Sequence, residues 1–278
     1  MKRPLLQLLF FTSATAFAQS VKIQSNFQPN STYEIQSNSN MIVTTKIPGN
    51  EMMEEMMLQK SGGKPSTTST KTTHLLITGA EKSKTIPFRN SITNFSTVAF
   101  PTETKVQPSI KNTKVFGRYD SNGFIVDSGS FQGKKDTIYN NFYKSLMDLI
   151  GKSFQFNSKE MVIGDTIVEN SELIYPVQPL GTLKLHTVKT YKLSKVENDI
   201  ATLDVTINVS NPDSSSTENP TKLNVYGTGE GIMLYRISKK LIFKSSFDQN
   251  LTQEIDNLAF VIKQTIQTKS SNSLIKRP

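Results

Sequence analysis

The chain has 278 residues, 36% of them hydrophobic, with no cysteine, no tryptophan and a formal charge of +9. Without cysteine there can be no disulfides, thiolate metal sites, thiol nucleophiles or lipidated-cysteine anchors. The 32 basic residues are spread thinly, with no block of the kind that reads as a nucleic-acid site, so the charge is assigned to solubility and a mild attraction to anionic envelope surfaces.

Residues 1–18 have the order of a secretory signal peptide: Lys2 and Arg3, an apolar run from Leu5 to Phe11, then Ala16-Phe17-Ala18 before Gln19. That run is far shorter than the roughly 20 residues that cross a bilayer, and no later segment comes close, so no transmembrane span is expected. Removing Lys2 and Arg3 from the +9 chain leaves +7 for the mature protein. The expected location is periplasmic or extracellular, and residues 19–278 are expected to form one β-rich domain, with a division into two lobes around 130–152 left open.

Period-two alternation rich in Thr, Val, Ile, Tyr and Phe then predicts strands near 20–26, 32–38, 41–47, 73–79, 113–119 and 123–128. Between them, Met52-Met53-Glu54-Glu55-Met56-Met57 reads as helix, with Met52/Met56 and Met53/Met57 stacked at i, i+4. These thioethers are expected to line an adaptable apolar groove or lid. A soft-metal site completed by His74 is the less favoured reading. Ser61 to Thr73 is expected to be a loop, and Asp120-Ser121-Asn122-Gly123 a hairpin turn.

From Asp136 the period changes. Ile138, Phe142, Leu146 and Leu149/Ile150 recur at helical spacing, Asp136 can cap the first turn, and Gly151 can end the last. This predicts an amphipathic helix near 136–150, with Phe142 and Leu146 on its apolar face. Downstream, a strand near Leu183–Leu193 forms a hairpin with Ala201–Val209 through Lys195–Asp199, and the segment from Asn211 to Pro220 is expected to be a loop. Gly227-Thr228-Gly229-Glu230-Gly231 reads as a glycine-kinked strand, since it lacks the Lys-Ser/Thr of a phosphate loop. Strands follow at 231–237, 241–247 and 258–268.

Catalytic signatures are missing. There are two histidines, His74 and His186, no G-x-S-x-G and no H-E-x-x-H. Among carboxylates, Asp165, Glu169, Glu172 and Asp204 could supply a hydrolytic pair only if the fold brings two of them together. No catalytic residue, metal site or cofactor is assigned.

Gly164-Asp165 after a short apolar strand, Tyr191-Lys192-Leu193 leading into Asn198-Asp199-Ile200-Ala201, and Gly227-Thr228-Gly229 before a strand form a recognisable set. With the signal peptide and the methionine-rich stretch, the chain resembles a family of uncharacterised secreted or periplasmic β-rich proteins of Bacteroidota. That resemblance implies no activity and no site residues. The architecture is also similar to that of envelope lipid-carrier proteins.

The expected fold is mainly β, of the α+β kind: a strongly curved antiparallel sheet or half-barrel packed on one central amphipathic helix. The expected function is non-enzymatic, the binding of a lipid-like or other hydrophobic ligand in an apolar cleft lined by Met52, Met53, Met56, Met57, Phe142 and Leu146. The alternative is a structural or interaction module for envelope protein or polysaccharide, and a hydrolase ranks below both. N-terminal sequencing of the exported protein should begin at Gln19; retention of Lys2 and Arg3 would remove the secretory assignment.

Overall fold

The computed structural model describes residues 20–24, 26–60, 63–100, 114–120, 123–130, 159–177, 181–211, 222–257 and 260–278. They form strands β1 (Val21–Ile23), β2 (Thr32–Lys46), β3 (Ser66–Thr78), β4 (Ile86–Phe100), β5 (Lys114–Asp120), β6 (Gly123–Ser130) and β7 (Lys159–Met161). The second half adds β8 (Thr166–Val177), β9 (Gly181–Glu197), β10 (Ile200–Ser210), β11 (Lys222–Arg236), β12 (Leu241–Asn257) and β13 (Phe260–Arg277). Helix α1 (Glu51–Lys60) joins β2 to β3. Eleven strands make one antiparallel sheet in the order β6-β5-β4-β3-β2-β13-β12-β11-β10-β9-β8, and β1 pairs with β7 apart from it. Strands consecutive in sequence lie side by side, as in a meander, and β2 and β13 meet in the middle. Edges β6 and β8 are not paired with each other, so the described sheet is not a closed barrel.

The strands are longer than the sequence alone indicates. The segments expected at 32–38 and 41–47 are one strand, because Ser37 to Met41 is bonded on both sides, to Asn272–Thr268 of β13 and to Thr72–Thr68 of β3. The Ser/Thr tract expected as a loop to Thr73 is strand from Ser66 onward. Threonine favours the pleated backbone, and β2 and β4 flank this tract on either side. At Asn198 and Asp199 the backbone is left-handed, with φ of 49° and 69°, as the tight reversal between β9 and β10 requires. The predicted helix at 136–150 lies outside the described residues. Among the described residues, the element packed on the sheet is the β1–β7 pair.

The core sits at one end of the sheet, where β2 begins and β13 ends. Val21 and Ile23 of β1 and Met161 of β7 pack on Tyr191, Leu193, Leu203, Val205 and Tyr235, all nearly inaccessible to solvent. A second cluster surrounds Phe27, whose ring meets Tyr33 edge-on at 5.0 Å and Tyr119 at 5.4 Å. Three residues earlier, the Gln24 amide donates to the Tyr235 hydroxyl at 3.3 Å, and that hydroxyl donates to the Lys22 carbonyl at 3.2 Å. Thr78 anchors the same segment by donating to the Gln28 carbonyl at 2.6 Å.

These contacts fix the shape. Tyr119 lies on β5 and Tyr235 on β11, six strand spacings apart, which would separate them by about 29 Å in a flat sheet. Both reach the short segment Gln24–Phe27, so the sheet bends around it. Phe27→Ala should lower the unfolding free energy by about 3–5 kcal/mol, measured by urea denaturation, whereas Gln28→Ala on the exposed side should stay within about 0.5 kcal/mol.

Candidate functional site

Alternation along the strands gives the sheet two different faces. The face turned toward Tyr33, Leu203 and Tyr235 is inward. The outward face carries Asn38, Asn40, Lys71, Asp204, Lys244 and Lys269, all exposed. The same face also carries exposed apolar residues, among them Ile42, Val168, Ile232, Val261 and Ile275. No helix among the described residues is long and apolar enough to cross a membrane.

Away from this core, inward residues such as Val43, Ile266 and Leu251 are half-buried, while Leu223 and Val225 beyond them on β11 are buried. Register aligns Val43, Ile266, Leu251, Gly227 and Val209 in one row across β2, β13, β12, β11 and β10. This makes an apolar belt about 19 Å wide, four strand spacings. Val43, Ile266, Leu251 and Val209 are each half-buried. Beside it, Ser37, Ser39, Thr70, Thr72 and Ser270 make a hydroxyl-rich patch on the same face. The inward face is therefore two-toned, aliphatic toward β10–β12 and hydroxylic toward β2–β3.

Glycines shape the belt. Gly227, Gly229 and Gly231 all point inward on β11, and β12 side chains lean over them. A Cβ at Gly227 would collide with the Asn250 carbonyl, and one at Gly231 with the Phe247 ring. The expected glycine-containing strand is thus present, with its glycines needed for close approach of the neighbouring strand. The register shift in this strand falls at Leu234/Tyr235. A recess of about 610 Å³ at the Gly231 level is lined by residues of both faces, Val205, Gly231 and Phe247 together with the outward Asp204, Ile232 and Asp248–Lys269 ion pair.

Toward the β8 edge the inward face carries buried polar groups. The Tyr191 hydroxyl donates to Glu169 at 2.8 Å; burial, with Glu169 adding to it, pushes the phenol far above its ordinary range. Lys189 is aligned across from Glu169. Burial pulls its ammonium down from the usual lysine value, and Glu169 opposes that shift. Alternation from Leu185 through Thr187 places Lys189 on the same face as Tyr191, so its position was readable from the strand pattern although it was not singled out.

The anticipated lining residues are not brought together. Met52, Met53 and Met56 lie on α1 and are exposed, Met52 by 73% and Met56 by 54%. Met57 lies in the same helix, and Phe142 and Leu146 lie outside the described residues. α1 is capped by Asn50, whose side-chain carbonyl accepts from Met53 N at 3.1 Å, and Glu54 accepts from Ile47 N at 3.2 Å. His74 is eight residues into β3, about 26 Å from its start, and thus remote from the methionines. Among the described residues no three His, Asp or Glu side chains converge as a metal site.

The hydrolytic candidates also diverge. Glu169 points inward, Asp204 outward, and Glu172 outward to His186, with 3.9 Å between Glu172 Oε2 and His186 Nε2. Asp165 closes the turn before β8, accepting from Val162 N at 3.0 Å through its side chain, while Gly164 N donates to the Leu193 carbonyl at 2.8 Å. The Gly-Asp pair and the Tyr-Lys-Leu run are thus joined in space as structural elements.

No family model matches the chain, and no curated protein does. Among solved structures, the chain is similar to one titled for lipid–protein interactions in lipovitellin, with 11% identity and a TM-score of 0.43. That match covers 91% of this chain and 26% of the lipovitellin chain, so this chain spans about a quarter of its length. The outer membrane protein OprG from Pseudomonas aeruginosa matches with 7% identity and a TM-score of 0.22, covering 89% of this chain and 97% of that one.

His74 faces inward beside the core, and its Nδ1 is buried with no hydrogen-bond partner among the described residues, as is Oδ1 of Asn90. Burial lowers the His74 pKa to about 4 from the ordinary 6.5. The folded state thus holds the imidazole neutral. The associated stability is fully present above about pH 6.5 and is lost as pH falls toward 4, by about 3 kcal/mol in all. Urea unfolding at pH 7.5 and 4.5 should show a drop for the native protein about 2–3 kcal/mol larger than for His74→Leu; equal drops would contradict a buried neutral imidazole.

Proposed function

We propose that this protein is a non-enzymatic envelope or extracellular protein, a half-barrel whose inward face holds a lipid-like amphiphile. The observation that carries this reading is the aligned row of Val43, Ile266, Leu251 and Val209, all half-buried on the inward face. The signal-like N-terminus agrees with it. An apolar row with a hydroxyl-rich flank suits an amphiphile better than a pure hydrocarbon. The tail would lie along the aliphatic belt while its polar end meets Ser37, Ser39 and Thr70. Burying ten methylenes is worth about 8 kcal/mol, which corresponds to micromolar affinity before ordering costs are subtracted.

This differs from the anticipated cleft in its lining. Met52, Met53 and Met56 of α1 are exposed, and the belt is built from the strands themselves. Neighbouring residues on opposite faces provide the test. Val43→Lys should weaken binding of a fluorescent long-chain fatty acid at least tenfold, whereas Ile42→Lys, on the outward face, should change it less than twofold. Equal binding by both would remove the inward face as the site. If no fatty acid binds but Met52→Gln/Met56→Gln releases the protein from envelope fractions, an interaction module through α1 takes its place.

A further inference from the structure

At the closed end of the sheet, opposite the apolar belt, a recess of about 540 Å³ is bounded by Asn26, Gln28, Tyr33, Ser238, Leu241 and three lysines, Lys239, Lys240 and Lys276. It forms where the segment crossing the sheet end passes the turn before β12 and the tail of β13. The Asn26 amide donates to the Lys240 carbonyl at 2.9 Å, which ties that segment to the turn. Lys240 itself takes a left-handed backbone, φ 52°, and Lys276 is aligned across from Tyr33. The fold thus brings three lysines from two distant parts of the chain to the lining of one hollow.

No carboxylate lines the recess. The two nearest acids are engaged elsewhere. Asp199 accepts from Ser238 through both its amide, at 2.8 Å, and its hydroxyl, at 2.5 Å, and its charge also acts on Lys239. Glu34 is on the outward face, paired with Arg277 and accepting from Gln36 at 2.6 Å. At the floor of the hollow, Tyr33 is 1% exposed, and its hydroxyl accepts from Gln28 N at 2.8 Å. Among the described residues no acceptor takes the proton of that hydroxyl. The recess is therefore lined by three lysines, two side-chain amides and a buried phenol donor with no carboxylate, a charge balance that favours an anion.

We propose that this recess binds a phosphate group, with the ammonium groups of Lys239, Lys240 and Lys276 around its oxygens and the Tyr33 hydroxyl donating from below. Ammonium groups meet phosphate as point charges without needing the planar fork of arginine. The group could be carried by a soluble phosphorylated molecule or by a phospholipid headgroup. Val43 of the belt and Tyr33 of the recess are ten residues apart on β2, about 33 Å, so this site and the amphiphile site succeed or fail separately.

Titration calorimetry of the mature protein with pyrophosphate at low salt, and sedimentation with phosphatidylglycerol vesicles against phosphatidylcholine vesicles, test the proposal. Lys239→Gln/Lys240→Gln/Lys276→Gln should weaken whichever binding is seen at least tenfold. Lys71→Gln/Lys114→Gln/Lys222→Gln removes the same charge elsewhere and should leave it within twofold. Tyr33→Phe should weaken it further at unchanged charge, with circular dichroism confirming that the variant folds. Pyrophosphate binding identifies a soluble phosphate, and binding only to the anionic vesicles identifies a headgroup. No millimolar or tighter binding in either arm, or equal losses in the two triple variants, would overturn the proposal.

Discussion

A long antiparallel sheet exposes two faces, and a protein without disulfides has only packing with which to bury one of them. Here the covering element is short: β1, β7 and the segment that carries Phe27 to the base of β2. It is long enough to cover one end of strands that run 15 to 18 residues, and no more. Phe27 and the hydroxyls of Tyr33 and Tyr235 draw strands from both halves of the sheet onto one axis. That contact sets the bend. Past that contact the inward side chains of the belt are half-buried.

The consequence for function is a division along the strand axis. Near the plug, inward residues are fully buried and include the tyrosines whose phenols burial pushes upward, Tyr119 to about 12. Farther along, the same rows carry Val43, Ile266, Leu251 and Val209, which are half-buried. Beside them stand His74, Asn90 and the Glu169–Tyr191–Lys189 group; His74 Nδ1 and Asn90 Oδ1 are buried with no hydrogen-bond partner among the described residues, which a fully satisfied core would not hold. The amphiphile reading uses the half-buried stretch between the plug and the buried Leu223 and Val225 at the far end of β11.

Much of the fold was legible in the sequence because period two is local. Ala201, Leu203, Val205 and Ile207 alternate with Thr202, Asp204, Thr206 and Asn208, and the structure puts the first set in the core and the second in water. The hairpin at Asn198-Asp199 was equally visible. Strand length was not, because Ser37 to Met41 and Ser66 to Thr73 are held extended by ladders on both sides, and those partners lie far away in sequence. The site suffered for a related reason. Met52 and Met56 do share a helix, but helical spacing cannot reveal whether a neighbour covers the stripe, and none of the described elements does. The belt is assembled from single aliphatic residues on five strands, and only the register of the whole sheet aligns them.

The most direct test of an inward amphiphile site is photo-cross-linking of the mature protein with a diazirine-bearing long-chain fatty acid, with the attachment sites read by tandem mass spectrometry. Attachment is expected on inward residues of the belt, at Val43, Val209, Leu251 or Ile266. Attachment confined to outward residues such as Ile42, Ile232 and Val261, or to the exposed methionines of α1, would contradict it.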